Sequence, residues 1–146
     1  MNAAHIHLIF NHFPFISLLI GIGILLYGML AKRYPAVQIG LMVIVFAWLT
    51  AIPTFASGEG AEEIVEKLPE VSHKIVHEHE ESAERAIIFV HLTGILALAS
   101  LYLSYRQYAK IRIVYWIALV FSCITLVMLA QVSQTGGKIR HPEIRE

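Results

Sequence analysis

The sequence predicts an all-α integral membrane protein, a four-helix up-down-up-down bundle with a helical extension outside the membrane between helices 2 and 3. Three observations predict it. The chain is 57% hydrophobic over 146 residues, with a mean hydropathy of +0.65, which is too apolar for a soluble domain of this length. Mostly apolar stretches at roughly residues 13–31, 37–54, 86–103 and 113–132 each have about the length that crosses a hydrocarbon core. Short connections join the first pair and the last pair, so each pair should form an antiparallel hairpin.

The first span follows His5, His7 and His12 and opens at Phe13-Pro14. No Lys or Arg precedes it and no small-residue cleavage pattern follows, so a removable signal peptide is not expected. Lys32-Arg33-Tyr34-Pro35 turns the chain into the second span. The connection over roughly residues 56–85 is too long for a turn. Residues 61–67 read as a short amphipathic helix broken by Pro69, and no breaker stands between residue 72 and the third span, so that helix should begin outside the membrane. Residues 104–112 close the second hairpin, and Cys123 in the fourth span reads as a small buried apolar residue.

Charge gives the direction of the spans. Lys32, Arg33, Arg106, Lys110 and Arg112 lie in or beside the two short connections, which hold no acidic residue, and short Lys/Arg-rich loops remain in the cytoplasm. All acidic residues belong to the opposite face, which should be periplasmic and should carry both termini. Tyr27, Tyr34, Tyr102, Tyr105, Tyr108, Tyr115 and Trp116 fall near the cytoplasmic ends, as an interfacial anchoring belt. A net charge of +0 without a basic stripe argues against nucleic acid as a partner; the expected partner is the lipid bilayer.

All eight histidines, His5, His7, His12, His73, His77, His79, His91 and His141, fall on or near the external face. Neutral imidazole is the commonest metal ligand, and bundles build metal sites from side chains on facing helices. His77, Glu81, Glu84, Ile88 and His91 follow helical steps of four, three, four and three and so share one face. His91 lies about two turns inside the span, where a polar group needs a partner. The plainer alternatives are interfacial residues for His5 and His7 and a solvated helix face for residues 73–84.

Asn11-His12-Phe13-Pro14-Phe15 resembles the opening motif of DUF2231, a bacterial four-helix membrane-domain family of unassigned function. Its members begin with a histidine, a spacer and His-Phe-Pro entering the first span; His7 and His12 stand at those positions, with Leu8 where a proline usually follows. Further similarity lies in Ser57-Gly58-Glu59-Gly60-Ala61-Glu62-Glu63, in His79-Glu80-Glu81-Ser82-Ala83 and in Gly136-Gly137-Lys138-Ile139-Arg140-His141-Pro142-Glu143. The likeness covers most of the chain and implies a bacterial inner-membrane protein. Related domains occur fused to Rieske or cytochrome c modules, which implies electron transfer. The resemblance nominates His12, His79 and His141, with Glu63 and Glu81 as supporting partners.

Two functions follow as expectations. The first is a b-type cytochrome with one or two haems near the external face, carrying electrons between quinol and a periplasmic redox protein. His12, His79, His91 and His141 would supply axial ligands. There is no Cys-x-x-Cys-His for covalent attachment. Gly21, Gly23 and Gly94 would either admit the flat macrocycle or serve close helix packing. The alternative is a bare zinc, iron or copper ion held by His12, by His77 or His79, by His141 and by one carboxylate, Glu63 or Glu81. The apolar bundle, a buried His91 and the family context favour haem; the interleaved glutamates favour the ion. Clustered histidines would also suit a pH-responsive element.

Overall fold

The computed structural model describes residues 2–69 and 71–145. The described residues form six α-helices, α1 (Ala3–Phe10), α2 (His12–Leu30), α3 (Tyr34–Ala56), α4 (Gly58–Val65), α5 (His73–Tyr105) and α6 (Ile111–Arg140), and a 3-10 turn at Pro142–Ile144, with no strand among them. Four helical stretches are long and apolar enough to cross a membrane, α1 with α2, α3, α5 and α6. Their outward faces carry Leu19, Ile20, Phe46, Leu49, Ile95, Leu98, Val120 and Val127, all exposed, which suits lipid and not water. The bundle closes as a ring: α2 packs on α3, α3 on α5, α5 on α6, and α6 on α2.

Helix α1 extends the first span beyond the expected start. Asn11 keeps right-handed helical angles, so the chain runs nearly straight from α1 into α2. The ladder loosens there because Pro14 has no N–H to offer the carbonyl of Phe10. Both hairpins turn on the same device. Lys32 (φ 54°) follows α2 and Gln107 (φ 51°) follows α5, each in the left-handed region. The next amides, of Arg33 and Tyr108, then donate back to Gly28 (2.8 Å) and Leu103 (3.1 Å), satisfying last-turn carbonyls.

Without a hydrophobic drive between helices in lipid, close packing of small residues holds such a bundle. A Cβ on Gly28 would lie 2.5 Å from the Val37 amide, and one on Gly40 2.5 Å from the Leu25 amide, so backbone meets backbone across α2 and α3. Between α5 and α6 the seam is small and hydroxylated, with Thr93 and Thr125 oxygens 2.7 Å apart. Tyr115 departs from the expected belt: it is buried, and its hydroxyl donates to Ser104 (2.9 Å), because α6 turns that position onto the seam. Cys123 is exposed and faces away from the bundle, next to the buried Ser122 that takes the inward position.

The single helix over residues 73–105 agrees with the absence of a breaker before the third span. Its inward stripe is Val76, His79, Ala83, Ala86, Val90 and Thr93, at helical spacing. Helix α4 folds back onto α1, where a Cβ on Gly60 would stand 2.7 Å from that of Ala3. The end bearing the termini is therefore roofed by helix, and the side chains beneath that roof decide what the protein can bind.

Candidate metal centre

The two-residue step from His77 to His79 is about 200° around a helix, so these neighbours cannot face the same ion. His77, Glu81, Glu84, Ile88 and His91 do share one face, and all five are exposed: it is the outer face. There His77 pairs with Glu80 (3.4 Å) and Glu81 (3.5 Å), and Glu81 also meets Arg85 (3.6 Å). His73 pairs with Glu66 (2.6 Å). Glu63 is exposed without an ion pair among the described residues.

His79 points the other way, half-buried between helices. Its imidazole occupies space left by Gly136 of α6, where a Cβ would stand 3.0 Å from Cε1. From α1, His7 reaches the same place, and the two ring planes are nearly perpendicular (87°) with centroids 6.4 Å apart. The hydrogen bonds fix the tautomer of His7 and favour the matching one at His79. Nδ1 of His7 is 3.0 Å from the Thr54 carbonyl, which can only accept, so the proton sits on Nδ1. Nδ1 of His79 is 3.1 Å from Oγ1 of Thr135, whose own hydrogen is committed to the Val132 carbonyl (3.0 Å), so His79 donates as well. Each imidazole therefore keeps an Nε2 lone pair with its other nitrogen held by an acceptor, the arrangement of a metal-ligating histidine.

Electrostatics support the neutral form. Burial, and then the neighbouring His7, hold the His79 imidazole below its ordinary 6.5. One turn along from His7, Oδ1 of Asn11 is buried with no hydrogen-bond partner among the described residues. On the rim, burial and the neighbouring Glu80 and Glu66 raise the Glu62 carboxyl.

The other expected residues do not join this pair. His12 is exposed at the start of α2. His141 is exposed and bonds Glu143 (2.9 Å), whose carboxyl is held low by a backbone N–H and by His141. His91 is exposed, not buried, because Val90, Thr93 and Gly94 take the inward positions around it. The ring of Trp48 fills the hollow at Gly94, and its Nε1–H donates to Nδ1 of His91 (2.8 Å). That bond places the His91 proton on Nε2, which then has no lone pair for a metal. Among the described residues no three His, Cys, Asp or Glu side chains are close enough to hold one ion together.

No family model, curated protein or solved structure matches this chain.

The residues present can be tested against both expected groups. With metal–nitrogen bonds of about 2.0–2.1 Å and ring nitrogens about 1.1 Å from their centroids, imidazoles on opposite sides of one ion have centroids about 6.3 Å apart. The observed 6.4 Å matches that opposed placement and exceeds the roughly 5 Å of two ligands on tetrahedral zinc, which the rings would reach by closing about 1 Å. A macrocycle needs a slot as well, and the cavity between the spans beside Trp48, Thr93 and Thr125 is ≈ 10 Å³, room for a single water. Gly21 is closed by Ile44 and Gly94 by Trp48, while Gly23 faces open space outside the bundle. Two imidazoles from separate helices would supply two of an ion's ligands, and among the described residues the ≈ 10 Å³ cavity between the spans is no haem slot.

Proposed function

We propose that the protein is a multi-pass membrane protein that binds one transition-metal ion, zinc, copper or iron, between Nε2 of His7 and Nε2 of His79 at its external end. The observation that carries this reading is the imidazole pair, drawn from separate helices, with each proton held on Nδ1 by its own acceptor. Imidazole suits all three metals. Solvent or a small ligand completes the coordination, and the unpartnered Oδ1 of Asn11 offers an acceptor for such a ligand. The likeness to DUF2231 supports the same end of the molecule, since His7 and His79 both fall in its motifs. The Lys- and Arg-bearing hairpin connections support a cytoplasmic placement for the opposite end.

One observation favours a second reading. The 6.4 Å separation is also that of two axial imidazoles across a haem iron, and such a haem, seated at the external end and not between the spans, would make the protein an electron carrier between quinol and an external acceptor.

Metal analysis and absorption spectra of the protein purified in detergent test both readings. One equivalent of zinc, copper or iron is expected, lost in His7→Ala and in His79→Ala and kept in His77→Ala, which shares the helix but faces outward. A Soret band that disappears in the same two variants would replace the bare ion by haem. Full metal content in both variants would overturn the site.

A further inference from the structure

The basic end of the bundle carries an independent feature. A cleft of ≈ 600 Å³ opens between the start of α3 and the α5–α6 connection, lined chiefly by Tyr34, Gln38, Ser104, Tyr105, Gln107 and Tyr108. Each of these side chains can donate a hydrogen bond and none is acidic. Five cations flank the lining: Lys32 and Arg33 run into Tyr34, Arg106 lies between Tyr105 and Gln107, and Lys110 and Arg112 flank Ile111. All five are exposed, and none has a salt bridge among the described residues. The wall is fixed, since the left-handed Gln107 and the Tyr108 amide bonded to Leu103 (3.1 Å) set the path of the connection.

Positive charge alone serves orientation in the membrane and requires no cavity. A cavity lined by hydroxyl and amide donors, with unpaired cations adjacent in sequence to its lining and without a carboxylate, has the chemistry of a phosphate site. It lies where α3 and α6 begin and α5 ends, at the height where exposed tyrosines meet headgroups. We infer that this cleft binds the phosphate of an anionic phospholipid headgroup. The tyrosine and glutamine donors hold the phosphate oxygens, the cations supply the attraction, and the acyl chains lie along the exposed apolar face of the adjoining helices. This site is separate from the histidine pair and does not depend on it.

The full chain in phosphatidylcholine nanodiscs, with and without phosphatidylglycerol, provides the test, read by native mass spectrometry and thermal unfolding. The wild type retains a phosphatidylglycerol and unfolds at a higher temperature when it is present. Loss of a juxtamembrane cation weakens anionic-lipid binding about fivefold, so Arg106→Gln with Lys110→Gln weakens retention roughly 25-fold. Ala109→Trp fills the cleft without altering charge and abolishes retention, and Tyr34→Phe with Tyr108→Phe reduces it by removing donors from the same lining. Retention as in wild type by both of these charge-neutral variants would overturn the cleft as the site. Protection by inorganic phosphate in phosphatidylcholine alone, equal to that by phosphatidylglycerol, would overturn the lipid assignment.

Discussion

Thr135 decides what His79 can do. Its hydroxyl oxygen accepts from Nδ1–H while its own hydrogen goes to Val132, so Thr135→Val removes the side-chain acceptor that orients the imidazole. Removing such a supporting partner typically costs 10–100-fold in metal affinity, and a competition titration with a chromophoric chelator should find a loss in about that range. The same burial makes stability depend on pH. The folded His79 releases its proton more readily than the unfolded chain does, because burial and His7 lower it from 6.5. The folded state therefore binds fewer protons; its stability is complete above about 6.5 and declines as pH falls toward the lowered folded value. Thermal unfolding of the metal-free protein should show that decline, and His79→Gln should flatten it. At this scale the sequence was only partly legible. The position of His79 could be read from Val76, Ala83, Ala86 and Val90, small or apolar residues at three- and four-residue steps along its stripe. His7 could be read from Asn11, Pro14 and Leu18, which continue its face into the bundle. The pairing across helices could not, because it depends on how α1 settles against α5 and α6. The charged run His77 to Glu84 pointed to the wrong side of α5, since charge marks solvent as readily as a site.

The α2–α3 hairpin holds by contact of backbone with backbone, and the glycines of α2 differ in consequence. Gly28→Ala would drive a Cβ to 2.5 Å from the Val37 amide, where neither helix can yield without shifting. Overpacking of this kind costs about 1–3 kcal/mol, and it should appear as earlier unfolding in a denaturing-detergent titration. Gly23→Ala, five residues away on the same helix, meets nothing within 4 Å and should be neutral or slightly stabilising through helix propensity. If both variants behave alike, close approach is not what joins α2 to α3. The existence of these helices was plain in the sequence because apolar runs of span length have few other uses. Helix α1 was less so: His5 and His7 read as interfacial residues ahead of the first span, and only the structure shows them within one helix that reaches α4.

Across the whole molecule, up-down-up-down order puts Asn2, Lys67 and the 3-10 turn at one end and both hairpin connections at the other. Cysteines placed singly at Asn2, Lys67 and Arg106 in a Cys123→Ala background should report it. The first two should react with an impermeant maleimide added outside cells, and the third only after permeabilisation. Labelling of Asn2 and Lys67 from opposite sides would separate His7 from His79 and overturn the proposed metal site. The long helix α5 adds a last point. His79 stands seven residues before Ala86, where the apolar stretch begins, which places it about 10 Å above the hydrocarbon at the helical rise. That is headgroup height, not open water. An anionic leaflet with a surface potential of about −30 mV enriches protons there roughly threefold over the bulk. The acidity that the imidazole experiences is thus partly a property of the surrounding lipid: in bilayers rich in anionic lipid an ion at the proposed site would be released at a bulk pH about half a unit higher than in neutral ones.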